Sequence, residues 1–162
     1  MIQAPFGSDD FNVLPHLVAL AVAYLLALPI GWNREREERS AGLRTFPLVA
    51  IATCGYIRAA EALTAESPEA TARIVEGLIT GMGFVGGGAI LRLKESVKGT
   101  ATAASLWVTG AVGVSAGLGA YDVALVLSLV TLVTLWVLSP LKRTVSAQEC
   151  ASEQDKSGEE GS

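Results

Sequence analysis

Apolar residues fall into five long stretches, the first four set apart from one another by short polar breaks and the last two joined directly at a Gly-containing turn. The first covers about residues 11–32, the second 46–63, the third 74–91, the fourth 101–120 and the fifth 121–141. A bilayer core of about 30 Å takes roughly 20 helical residues at 1.5 Å each. Backbone facing lipid must satisfy its own hydrogen bonds, so each stretch is predicted to be helical. The pattern therefore predicts an all-α, polytopic membrane helix bundle with five transmembrane helices. The second stretch is the least regular. Its charge-free run, Phe46 to Ile57, is short for a span, and Arg58 and Glu61 lie near its far end.

The polar breaks alternate in charge. Arg34, Arg36, Arg39 and Arg44 fall between the first two stretches; Arg92, Lys94 and Lys98 fall between the third and fourth. Lys142, Arg143 and Lys156 follow the fifth, while the other side has only Arg58 and Arg73, so ten of twelve basic residues share one side. Basic loops stay in the cytoplasm. The N-terminus is thus expected outside and the C-terminus inside, in a bacterial cell inner membrane. Residues 1–10 are expected to form a short extracytoplasmic segment, 11–141 the membrane domain, and 142–162 a disordered cytoplasmic tail.

Composition changes this picture little. The formal net charge is −4, but much of the acid excess sits in the tail, at Glu149, Glu153, Asp155, Glu159 and Glu160. No cleavable signal peptide is expected: Asp9 and Asp10 stand where one would carry bases, and the first apolar run is long for one. Cys54 and Cys150 lie in different environments and are not expected to pair. His16, just after Pro15, reads as an interfacial side chain, and no Cys or His has metal-ligand spacing. No nucleic-acid partner is expected.

Small residues concentrate in the third and fourth stretches. Gly77/Gly81, Gly83/Gly87 and Gly113/Gly117 are each four apart, the spacing that lets membrane helices approach closely. Helices three and four are accordingly expected to form the inner pair, with one and five outside. Gly83 and Gly117 are expected not to tolerate leucine. Gly81-Met82-Gly83-Phe84-Val85-Gly86 also spells G-x-G-x-x-G, but it lies within a span, and Ala101 stands where a dinucleotide site needs an acid. The triple glycine at 86–88 admits two readings: dense packing, or a broken helix whose carbonyls could hold an ion.

Two groups of charges could carry chemistry. On the outer side, Arg58/Glu61 and Arg73/Glu76 are each three apart, with Glu66 and Glu69 in the hairpin between them. They read either as i,i+3 ion pairs near the headgroups or as an acidic entry site for a cation, with Glu76 and Glu61 as candidate ligands. Mg²⁺ would want one or two carboxylates and several waters; the residues permit this without specifying it. On the inner side, Arg34, Glu35, Arg36 and Arg44, joined by Arg92 and Lys98, read as a membrane-surface anchor or as a contact face for lipid or a partner. Arg34/Glu38 and Glu35/Arg39 have i,i+4 spacing. Thr45 is placed to cap the second helix, and Thr100 or Thr102 to cap the fourth or, with Lys98, to hold an anion. No grouping of nucleophile, base and acid falls on one side of the membrane, so no enzyme is expected and no cofactor is assigned.

Three segments carry a resemblance. Gly31-Trp32-Asn33-Arg34-Glu35-Arg36-Glu37 with Ala41-Gly42-Leu43-Arg44-Thr45, then Gly81-Met82-Gly83-Phe84-Val85-Gly86-Gly87-Gly88-Ala89-Ile90, then Val97-Lys98-Gly99-Thr100-Ala101-Thr102-Ala103-Ala104-Ser105-Leu106-Trp107 are similar, in order, to motifs of the MgtC/SapB family of bacterial inner-membrane proteins. Pro29 and Trp32 depart from the family's usual context. The resemblance implies five spans with the orientation above, and an association with growth in low magnesium, survival in acidic host compartments and modulation of other membrane machines such as ATP synthase. Many members carry a cytoplasmic C-terminal regulatory domain, which is not carried over to this chain. The first expectation is therefore a non-enzymatic membrane protein, tied to magnesium or ion homeostasis, that binds or regulates other membrane proteins. The alternative is an oligomeric cation transporter or channel built around Glu76. A homo-oligomer in the lipid bilayer is expected in either case.

Overall fold

In the computed structural model the described residues are 12–38, 42–64, 67–93 and 96–137. Five helices account for most of them: α1 (Leu14–Glu38), α2 (Thr45–Thr64), α3 (Pro68–Gly88), α4 (Thr100–Gly117) and α5 (Tyr121–Val137). A short antiparallel hairpin, β1 (Leu91–Leu93) with β2 (Ser96–Lys98), joins α3 to α4, pairing Leu91 with Lys98 and Leu93 with Ser96. The hydropathy pattern gives no sign of it, because three residues are too few to show a period of two. By length and composition α1 qualifies as a helix able to cross a membrane. The tail and the first eleven residues lie outside the described residues.

Local chemistry explains the boundaries. α3 starts six residues earlier than its apolar run: the Ser67 hydroxyl accepts from Ala70 N at 3.3 Å, and Pro68 occupies the first turn. A serine cap followed by proline is a helix start whatever the hydropathy of the next turn. α3 then continues unbroken through the triple glycine, so the broken-helix reading does not hold. α4 stops at Gly117, where Gly119 takes φ +80°. Gly119 N donates to Ala116 O and Ala120 N to Ser115 O, the paired bonds of a Schellman turn, which needs a left-handed residue at that place.

The inner pair is α2 and α4, not α3 and α4. A Cβ on Gly113 would run into the Thr53 side chain and the Ala50 carbonyl of α2, and one on Gly117 would meet Ile57 Cβ at 2.8 Å. α1 lies across this pair through a stripe of alanines. Ala19, Ala23 and Ala27 are fully buried against Ala50, Cys54 and Ala116. Close backbone approach is thus supplied by small residues, with alanine on α1 taking the part expected of glycine on α3. By contrast, a Cβ on Gly77, Gly81, Gly83 or Gly87 would have no atom within 4 Å. Gly86 and Met82 of α3 do pack against α4, at Ala103 and Gly110. The spacing was the same on both helices; only one of them turns its glycines inward.

A second cluster, Ile30, Phe46, Met82 and Leu106, is bordered by Ala89, Leu132 and Leu135, so all five helical segments meet there. α5 is fastened to α1 by Ser128 Oγ, which donates to Leu26 O at 2.8 Å, while Val126, Val130, Val133 and Trp136 point outward. Ser128→Ala should lower stability by about 0.6 kcal/mol, a typical interhelical hydrogen bond between membrane helices. Thermal unfolding in detergent checks this, and an unshifted transition would show that the bond contributes nothing.

Candidate functional site

The end of the bundle that carries Arg34 is a tightly built joint. Gly31 on α1 faces the turn entering α2, where an added Cβ would lie 3.1 Å from Gly42 O and 3.2 Å from Phe46 Cβ. A Cβ on Gly42 would collide with the Glu35 side chain. The Glu35 carboxylate in turn accepts from Leu43 N at 3.1 Å. This sets a negative charge at the start of α2, where free N–H groups and the helix dipole favour it. Glu35 therefore braces α1 against α2. The expected Glu35/Arg39 pairing lies outside the described residues, as does the Glu38 side chain.

Arg34 does not present itself to solvent. It is only 4 % exposed, turned into the bundle end, with its Nη2 donating to Asn33 Oδ1 at 3.5 Å. Its helical position follows Ile30 by one turn, which places it on the inward stripe that ends in Phe46 and Leu106. Arg36, Arg44 and Lys98 remain exposed. Arg36 stands over the Trp32 ring, 5.0 Å from its centroid, a cation–π contact that limits where the guanidinium can go. The side chain of Arg92 lies outside the described residues.

The start of α4 completes this end. Gly99, at φ +87°, is the residue before the helix, and no side chain caps it. A Cβ there would collide with the Ala89 carbonyl at the end of α3. Thr100 is exposed within the first turn and Thr102 is fully buried, so neither is the cap. Gly99 occupies that place because the approach to Ala89 leaves no room for a side chain. Thr45 likewise is already helical rather than the residue before α2.

At the opposite end, Arg58 and Glu61 form the expected i,i+3 pair, with Nη1 2.8 Å from Oε2. Arg58 Nη2 also reaches Pro15 O at 3.4 Å, tying α2 to the start of α1, a contact no local spacing could indicate. The Arg73/Glu76 pair does not form in this way. Glu76 is exposed, and its backbone carbonyl accepts from Thr80 Oγ1 at 2.9 Å. A small polar cavity beside Arg58 includes Glu61 and Thr71 but not Glu76. Among the described residues, no three His, Cys, Asp or Glu side chains gather as a metal site would require.

These features define an all-helical bundle with one strongly apolar long helix, extensive outward-facing apolar side chains and a glycine-jointed, arginine-bearing end. Residues 20–144 match the family model described as MgtC family. The protein called MgtC in Salmonella typhimurium is 33% identical over 144 residues, which cover 89% of this chain and 61% of that protein. MgtC of Brucella abortus is 35% identical over 136 residues, 83% of this chain and 56% of that protein. SrpB of Synechococcus elongatus is 36% identical over 136 residues, 76% of this chain and 75% of SrpB. The chain belongs to the MgtC family. It spans about three-fifths of the length of the Salmonella relatives it matches. No solved structure matches it.

Proposed function

We propose that this chain is a multi-pass inner-membrane protein, linked to magnesium or ion homeostasis, that acts without catalysis by engaging other membrane proteins at its Arg34 end. The observation that carries this reading is the contrast at that end. Glu35, Gly31, Gly42 and Gly99 pack it closely, Arg34 is sunk beneath it, and Arg36, Arg44 and Lys98 stand out from it. A closely packed surface bearing exposed cations loses little entropy when a partner docks, and it selects acidic or anionic counterparts. Family membership agrees with the ion-homeostasis setting. The distribution of lysine and arginine supports five spans with this end in the cytoplasm. The cation-transport reading draws no comparable support: Glu61 is already paired with Arg58, and Glu76 lies outside the cavity beside them.

Membrane complexes captured after gentle solubilisation test the proposal. Wild-type chain should enrich a defined membrane protein. Arg36→Glu/Arg44→Glu/Lys98→Glu should reduce that enrichment about tenfold or more, since charge reversal at an interface costs several kcal/mol. Equal recovery with the folded triple variant would refute the contact face.

A further inference from the structure

A cleft of about 720 Å³ opens between α2 and α3. Its walls are almost wholly carbon: Val49, Ala52 and Tyr56 on one side, and Gly77, Gly81 and Val85 on the other. Gly77 and Gly81, where an added Cβ would meet no atom within 4 Å among the described residues, leave this space open. Along α2 it extends from Val49 to Ala60, about 16 Å at 1.5 Å per residue. That is close to the depth of one leaflet, half of a core about 30 Å thick.

A second cavity of about 120 Å³ adjoins the first and shares Ala60 and Ile74 with it. Unlike the cleft, it is polar, with Arg58, Glu61 and Thr71 in its wall. It sits at the level of Pro15 and Leu118, where α1 begins and α4 ends. The Arg58 guanidinium has five N–H donors. Nη1 serves Glu61 and Nη2 reaches Pro15, while the buried Nε finds no acceptor among the described residues. An apolar slot one leaflet deep, opening on a cationic group with a carboxylate beside it, is complementary to a phospholipid in both polarity and charge.

We propose that these adjoining cavities bind one phospholipid, with an acyl chain in the α2–α3 cleft and the phosphate at Arg58. A free phosphate would leave the apolar cleft unused. A helix from a second copy, some 10 Å across, would not use the polar cup. The inference goes beyond the partner-binding role and shares with it only residence in a bilayer.

Native mass spectrometry of the full chain, purified in detergent and titrated with dioleoylphosphatidylethanolamine, tests it. Wild type and Arg73→Gln, an exposed arginine at the same end, should each retain one lipid per chain. Arg58→Gln should weaken retention about tenfold, the loss expected for a charge-assisted hydrogen bond. Gly81→Leu should weaken it similarly by filling the cleft, at a position where an added Cβ meets no atom within 4 Å. Glycerophosphoethanolamine, the headgroup without chains, should not bind. Melting temperatures show that each variant is folded; should Arg58→Gln fail to fold, Gly77→Leu and Gly81→Leu decide the matter. Equal retention by all variants would overturn the proposal, as would binding of the bare headgroup. So would a dimer that excludes lipid and is lost in Gly81→Leu, which would place a second copy in the cleft. A chain that needs detergent yet holds no lipid overturns this proposal alone. A chain soluble without detergent overturns the membrane reading as well.

Discussion

Gly113→Leu should lower the stability of the bundle by about 3 kcal/mol or more, enough to prevent folding in a marginal membrane protein. The first added carbon would already collide with the Thr53 side chain and the Ala50 carbonyl. Neither neighbour yields cheaply. Ala50 O is main chain of α2, and Thr53 Oγ1 shares its one proton between Val49 O at 3.0 Å and Ala50 O at 3.1 Å. Overpacking a closely packed core costs about 1–3 kcal/mol even where side chains can adjust; here a helix must move. Gly83→Leu is the matched control, at the same change in volume and an exposed site where an added Cβ has no atom within 4 Å. Thermal unfolding in detergent should separate the two clearly. Equal transitions would mean that α2 and α4 are not the inner pair.

The second large effect is expected at Gly99. Gly99→Ala should destabilise by about 3 kcal/mol, because two penalties coincide. Left-handed backbone costs a residue with a Cβ about 1–2 kcal/mol, and at φ +87° that Cβ would strike Ala89 O. Gly119→Ala separates these contributions. It shares the left-handed backbone, at φ +80°, but has nothing within 4 Å of its Cβ, so it should cost only about 1 kcal/mol. Unfolding curves for the two variants give the difference, which measures the collision at Ala89. Equal losses would show that the end of α3 can withdraw from Gly99 freely.

The number of helices and most of their limits were legible because hydropathy marks them. The family motifs were legible as text, and the glycine spacing at 113 and 117 correctly marked close approach. What spacing could not convey was direction. Gly77 and Gly81 have the same separation but face the α2–α3 cleft, and Gly83 and Gly87 are exposed, while the buried small residues Ala19, Ala23 and Ala27 were hidden in an ordinary alanine-rich run. Arg34 was misjudged for a related reason. Its charge suggested water, but its place one turn beyond Ile30 puts it on the buried stripe, and only the fold reveals which face that is. Ser67-Pro68 was a readable helix start that hydropathy obscured, since the next turn is polar. At Gly99, neither the left-handed backbone nor the contact with Ala89 is local, so no motif at the start of α4 could have shown why a cap is missing. Arg58 illustrates the same limit: its partner three residues away was legible, its carbonyl partner at Pro15 was not.

The bonded reversal at Gly119 leaves no slack between α4 and α5. In the folded chain α5 therefore cannot swing away from α4 without breaking the bonds from Gly119 N to Ala116 O and from Ala120 N to Ser115 O. α4 is built largely from alanine, glycine, serine, threonine and valine, whereas α5 carries the larger leucines and valines, many of them facing outward. The two helices then move as one folded-back unit, and a displacement of α5 is passed directly to the close-packed face that α4 shares with α2.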